Sequence, residues 1–167
     1  VRLRARRDGG VELVLDPVEL ALLRSAPEQL RALYDAPDDD PARDRLFPRA
    51  YLDPTEEAAE REWQALSRPS LLRDRLDALD RMDAHLDAAT ARGRRWSLAL
   101  APDDVASWAA VCNDVRLASG TRLGITDDTD LSRIAPDDPF GAEKAAYAWW
   151  TALQGGLVEA MLRALPD

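Results

Sequence analysis

Twice in this chain an Asp-Pro pair is followed, three residues after the aspartate, by glutamate: Asp16-Pro17-Val18-Glu19 and Asp53-Pro54-Thr55-Glu56. Aspartate caps the free N–H groups of a helix start, and proline fits the first helical position, where its missing N–H costs nothing. The glutamate can reach back to the N–H of the cap itself. Each such pattern commits the following residues to a helix. After the first, Leu20, Leu23, Leu30 and Tyr34 continue one stripe to about residue 36. Pro27 interrupts it, and Ser25-Ala26-Pro27-Glu28 reads as a second capping box, so a kink or two short helices are expected. After the second, a helix over about 54–67 has Trp63 and Leu66 marking its buried side. Pro69 then breaks the chain before a helix at about 70–91, where Leu72, Leu76, Leu79, Met82 and Leu86 keep helical spacing and Gly93 fits the C-terminal cap. Two more helices are expected at about 102–123 and 138–164.

Other stretches carry a period of two. Arg2, Arg4 and Arg6 alternate with Leu3 and Ala5, and Val11, Leu13 and Leu15 alternate with Glu12 and Val14. With Asp8-Gly9-Gly10 as the turn, this predicts a β-hairpin over 2–15, its arginine face toward solvent. Trp96, Leu98 and Leu100 alternate with Ser97 and Ala99, a short strand near 96–100 that could extend the hairpin. Residues 37–50 read as a loop rich in Asp and Pro, and Thr126–Pro139 as an acidic one. No internal repeat or low-complexity tract appears. The expectation is a single domain, 1–167: mainly α, about five helices in a bundle-like array, with a small N-terminal β-hairpin.

The charge balance narrows the function classes. Against 22 basic residues, all arginine except Lys144, stand 31 acidic ones, a net charge of −9. Arg2, Arg4, Arg6 and Arg7 lie within the first seven residues, so the remainder is more acidic still. This argues against a nucleic-acid partner, since phosphate contacts need a basic surface, and against docking on an anionic membrane. It would steer a positively charged partner toward the chain. The single cysteine, Cys112, excludes an internal disulfide and suits a reducing compartment. The basic opening runs into Asp8-Gly9-Gly10 instead of the apolar run of a signal peptide. No stretch approaches the roughly 18 apolar residues of a membrane span. A cytoplasmic location is expected.

Catalytic chemistry has little material here. The only histidine is His85, which reads as a partly exposed rim residue, and Cys112 sits on the apolar face of its helix as a structural thiol. No His/Cys cluster suits zinc, and Met82 stands where a helical di-iron motif would need glutamate. Asp127, Asp128 and Asp130 lack the glycine and terminal glutamate of a calcium loop. No phosphate-cradling glycine pattern occurs. Neither a cofactor nor a metal is expected.

Two positions stand out. On the helix expected at 102–123, Val105, Ala109, Cys112, Ser119 and Leu123 share one arc, and Arg116 falls in its middle with Asn113 and Gly120 one turn either side. A charge directed into a core must be paired. Glu143, on the apolar arc of the last helix beside Gln154, is the natural partner for a buried ion pair. The functional alternative is that Arg116 and Asn113 read a carboxylate or phosphate in a crevice. In the last helix Trp150 lies mid-stripe, while Trp149 lies near its edge and is the better candidate for a partner contact.

The pattern Trp108, Asn113-Asp114, Arg116-Leu117, Gly120, Arg122-Leu123 resembles the signature of an actinobacterial family, domain of unknown function 2017. So do Arg45-Leu46-Phe47-Pro48 with Tyr51 and the opening order of hairpin then Glu-Leu-rich helix. Pro27 departs from the uninterrupted first helix such a member would show. The resemblance implies no activity, cofactor or ligand. It implies only that the gene often sits beside that of the adaptor ClpS, a hint toward protein turnover. The sequence thus favours a non-enzymatic interaction or adaptor protein with a protein partner. A small-anion-binding domain or enzyme centred on Arg116 and Asn113 is the alternative, and a homo-oligomer stays open.

Overall fold

A computed structural model describes residues 1–37 and 39–164. The elements run β1 (Arg2–Ala5), β2 (Val11–Leu15), α1 (Pro17–Tyr34), α2 (Pro41–Leu46), α3 (Glu57–Asp87), β3 (Thr90–Arg92), β4 (Arg95–Leu100), α4 (Pro102–Leu123) and α5 (Gly141–Arg163), with a single 3₁₀ turn at Pro54–Glu56. The protein is mainly α, five helices with a small antiparallel sheet. The five are not the ones the sequence suggests: α3 fuses two of them, and α2 lies inside a segment read as loop.

The strand order is β1-β2-β4-β3, all antiparallel. The strand expected near 96–100 pairs with β2 in the register Leu15↔Trp96, Leu13↔Leu98 and Val11↔Leu100. Those side chains share the inner face, where Leu3 of β1 also lies against Gly156 of α5. Arg2, Arg4, Arg6 and Arg7 are exposed. On the outer face Arg4 pairs with Glu12 at 3.8 Å, and the Ser97 hydroxyl donates to Glu12 at 2.6 Å, which lowers the Glu12 pKa. The first turn needs both glycines. Gly9 has φ +82, and a Cβ on Gly10 would stand 2.3 Å from the Leu100 carbonyl oxygen. Gly93 does not cap a helix. It occupies the first central position of the two-residue turn joining β3 to β4, at φ +63. Both roles ask for positive φ, so the glycine alone could not distinguish them.

Two helix starts, those of α1 and α2, follow the capping chemistry. Asp16 accepts from the N–H groups of Val18 and Glu19 while Glu19 accepts from the Asp16 N–H at 2.8 Å, a complete capping box. Asp40, ahead of Pro41, caps α2 in the same way, accepting from Ala42 and Arg43. Neither internal proline breaks its helix. Pro27 lies buried inside α1 and Pro69 exposed inside α3, each removing one backbone bond without ending the element. The apparent cap at Ser25 is a hydroxyl bonding back to the Leu22 carbonyl at 2.8 Å.

One continuous α3 has one phase, and this overturns the expected burial of its first half. Met82, Leu79 and Leu86 are fully buried, while Trp63 is 47% and Leu66 75% exposed. Reading two helices allowed two independent phases; a single helix turns Trp63 and Leu66 away from the face that carries Leu79. α4 is the central helix, covered by α5 on one side and by α2 and α3 on the other. It therefore buries Trp108 and Val111 as well as Cys112 and Ala109.

Candidate functional site

The two sequence motifs meet at a buried ion pair. Asp114 of α4, 6% exposed, accepts from the Arg75 Nε of α3 at 2.8 Å and from the Tyr34 hydroxyl of α1 at 2.9 Å. Arg75 also donates to the Leu46 carbonyl at 3.1 Å, fixing the C-terminal end of α2. Its guanidinium lies 4.8 Å from the Phe47 ring centre, with those of Arg68 and Arg43 at 5.4 and 5.9 Å on the same ring. Tyr34 meets that ring edge-on at 6.0 Å. Burial and the adjacent Asp114 carboxylate raise the Tyr34 pKa well above its ordinary value, so the hydroxyl stays a donor. Four helices are thus held by one carboxylate, one guanidinium and one ring.

The loop beyond Phe47 is tied down by a second carboxylate. Glu60, 5% exposed, accepts from the N–H groups of Tyr51 at 2.9 Å and Ala50 at 3.0 Å, and from Gln64 at 2.7 Å. Those donors, Tyr51 foremost, hold its pKa below the ordinary value.

Arg116 lies half-buried between α4 and α5. Its Nε donates to the Thr151 hydroxyl at 2.9 Å, its Nη1 to the Gln154 side-chain carbonyl, and its guanidinium lies 5.6 Å from the Tyr147 ring centre. Tyr147, Thr151 and Gln154 recur at helical spacing on one face of α5, so a single arginine spans two turns of its neighbour. No ion pair joins it to Glu143 among the described residues. Glu143 is exposed, in the first turn of α5. Asn113 is only a distant acceptor from Gln154, at 3.5 Å. Gly120 lets the Tyr147 ring come close: a Cβ there would be 3.0 Å from Tyr147 Cε2. Beside it, α1, α4 and α5 line an open cavity of about 320 Å³ whose walls include Leu30, Leu33, Val115 and Trp150, with Arg122 and Glu143 among its polar residues. Arg116 is not among its lining residues.

Trp149 is engaged internally. Its indole N–H donates to Glu19, the capping glutamate of α1, at 3.1 Å, and its ring meets Trp150 edge-on at 5.2 Å. His85 is partly exposed, as its place at the rim of the leucine stripe predicts, and it also bonds inward. Its Nδ1 accepts from the fully buried Trp108 Nε1 at 3.2 Å, and its Nε2 lies 3.3 Å from Asp104. Because indole N–H only donates, Nδ1 is the acceptor in this contact. Cys112 is fully buried, and burial raises its thiol pKa to about 12.

Arg75 and Glu60 escaped the sequence pattern, whereas Tyr34 was legible as a stripe residue but not as a donor to Asp114. Arg75 is spaced three and four residues from Leu72 and Leu79, which would have flagged it as it flagged Arg116. For Asp114 the signal was the second buried face of α4, through Trp108, Val111 and Ala118.

These features define a mainly α protein with a four-stranded antiparallel sheet, whose two sequence motifs form one arginine–carboxylate–aromatic junction. The chain belongs to the family described as a domain of unknown function (DUF2017), whose profile matches residues 2–161. Comparison with curated proteins and with solved structures returns no match.

Proposed function

We propose that this chain is a non-enzymatic protein-interaction protein that works through the exposed face of α3. The observation carrying this reading is that Trp63 and Leu66 lie together on that face, 47% and 75% exposed. Isolated exposed apolar residues are ordinary, but a tryptophan and a leucine one turn apart on one side of a helix suit a partner surface. The polar groups deeper in the fold are occupied in holding helices together: Arg75 with Asp114 and Tyr34, His85 with Trp108, Trp149 with Glu19. The net charge of −9 argues against an anionic partner surface such as nucleic acid or a membrane. Among the described residues no helix is long and apolar enough to cross a membrane.

An adaptor role in Clp-dependent turnover is the more specific form, drawn from the resemblance in sequence. The test is retention of purified Clp components by the immobilised full chain and by its Leu66→Glu variant. Binding by the parent that the variant loses supports the adaptor form; no specific retention by either counts against it. The second reading, a small-anion site at Arg116 and Asn113, draws on Arg116 having no carboxylate partner among the described residues. Titration with inorganic phosphate tests it. Saturable binding abolished by Arg116→Met would favour it, and no binding would remove it.

A further inference from the structure

We propose that the exposed face of α3 pairs with the same face of a second copy of the chain, antiparallel, about a two-fold axis between Gln64 and Ala65. The inference rests on the interaction reading above and names the occupant of that surface. Ala59, Trp63, Leu66, Ser70 and Arg73 follow one another at intervals of four, three, four and three residues. This is the spacing of a seam along which two helices can pack. Ala59 is half-buried and the other four are exposed, on the side of α3 turned away from Leu72 and Leu79.

The pattern is complementary to itself in one direction only. With the axis between Gln64 and Ala65, Trp63 of each copy falls against Leu66 of the other, and Ala59 falls against Ser70. The small residues at 59 and 70 let the helix backbones approach on either side of the tryptophan–leucine contacts. Glu56, at the N-terminal end of the seam, then faces Arg73 of the other copy. Both are exposed, and neither side chain has a hydrogen bond or ion pair among the described residues. A two-fold axis repeats each contact, giving two Trp63–Leu66 contacts and two Glu56–Arg73 pairs. A parallel pair would instead stack Glu56 on Glu56 and Arg73 on Arg73, which like charges oppose. The seam is one short run of helix, so the pair belongs to the small, reversible class of interfaces.

The full chain supplies the test. In an Ala59→Cys/Ser70→Cys chain, mild oxidation gives a disulfide-linked dimer through position 59 of one copy and 70 of the other. Ala59→Cys alone does not, because the two copies of position 59 then lie eleven residues apart along the seam. At about 1.5 Å per residue this is about 16 Å, beyond the ~7 Å Cα separation a disulfide can span. Cys112 is fully buried and takes no part. Sedimentation up to about 1 mM, where even pairs of about −4 kcal/mol associate, shows a concentration-dependent dimer. Leu66→Glu abolishes it. Glu56→Arg and Arg73→Glu each weaken it about three- to tenfold, and their combination restores it to within about twofold. A monomer throughout the series overturns the proposal. So does Ala59→Cys crosslinking as fast as the double variant, or failure of the combined charge reversal to restore association. A monomer that still binds a Clp component through Leu66 would overturn the self-pairing and leave the interaction reading standing.

Discussion

At the scale of single residues, Asp114 matters most to the fold. It is the only carboxylate bonded to Arg75 among the described residues and also accepts from Tyr34, so its removal leaves a guanidinium and a phenol without their acceptor. Asp114→Ala is expected to lower the free energy of unfolding by about 3 kcal/mol in a denaturant titration. Tyr34→Phe removes one charge-assisted bond and costs about 2 kcal/mol. Cys112 offers a simple check of packing: with its thiol buried and its pKa about 12, a thiol reagent should label it only as fast as the protein unfolds. The sequence pointed to Arg116 because a charge on an apolar arc is conspicuous. It could not reveal the partners, because Thr151 and Gln154 are ordinary residues on the neighbouring helix whose facing depends on how α4 and α5 pack. Arg75 is more deeply engaged yet less conspicuous, since Arg73, Asp74 and Asp77 around it are exposed charges and it reads as one more of them.

At the scale of elements, the helix start at Asp16 was legible because capping is local chemistry, whereas Asp53 caps only a 3₁₀ turn and α3 begins after it, at Glu57, with no side-chain cap. The ends and breaks were not, because they depend on what surrounds the chain. A proline inside a helix costs about 3 kcal/mol in isolation, and packing on both sides of Pro27 and beyond Pro69 outweighs that here. Leu23 and Leu30 flank Pro27 and Leu72 follows Pro69, holding each helix in one piece. Pro69 itself is exposed, so Pro69→Ala restores an N–H for the Ala65 carbonyl without disturbing a core. It should raise the free energy of unfolding by about 1–3 kcal/mol. α2 was legible in principle, since Asp40-Pro41 is the same kind of start as Asp16-Pro17, but its six residues give too little periodicity to register. β3 is shorter still, three exposed residues with no alternation to detect.

At the scale of the whole molecule, the ionisable groups bound the pH range of stability on both sides. Glu12, Glu60 and Asp138 have folded pKa values below their ordinary ones, through Ser97, the Tyr51 N–H and Lys144 respectively. The stability they supply is present above the unfolded carboxylate range, near pH 4, and is lost as pH falls through their folded values. Cys112 and Tyr34 are shifted upward, so the folded state holds protons that the unfolded state releases. Their contribution is full below about pH 8.5, the ordinary thiol value, and declines as pH rises from there toward the folded values. The melting temperature should therefore form a plateau around neutrality and fall on both sides. The arrangement separates two kinds of surface. The α1–α2–α3–α4 junction and the α4–α5 seam hold the fold, while the Trp63–Leu66 face of α3 makes little contribution to it.

That separation is tested most directly by a photoreactive side chain placed at position 63 in the full-length chain, with and without Leu66→Glu. The account predicts a specific crosslinked adduct, to a second copy or to another protein, that Leu66→Glu eliminates while the unfolding free energy changes by less than about 0.5 kcal/mol. An adduct yield no higher than that of the same group at the exposed Arg61, or a loss of stability on Leu66→Glu as large as that of Asp114→Ala, would contradict it.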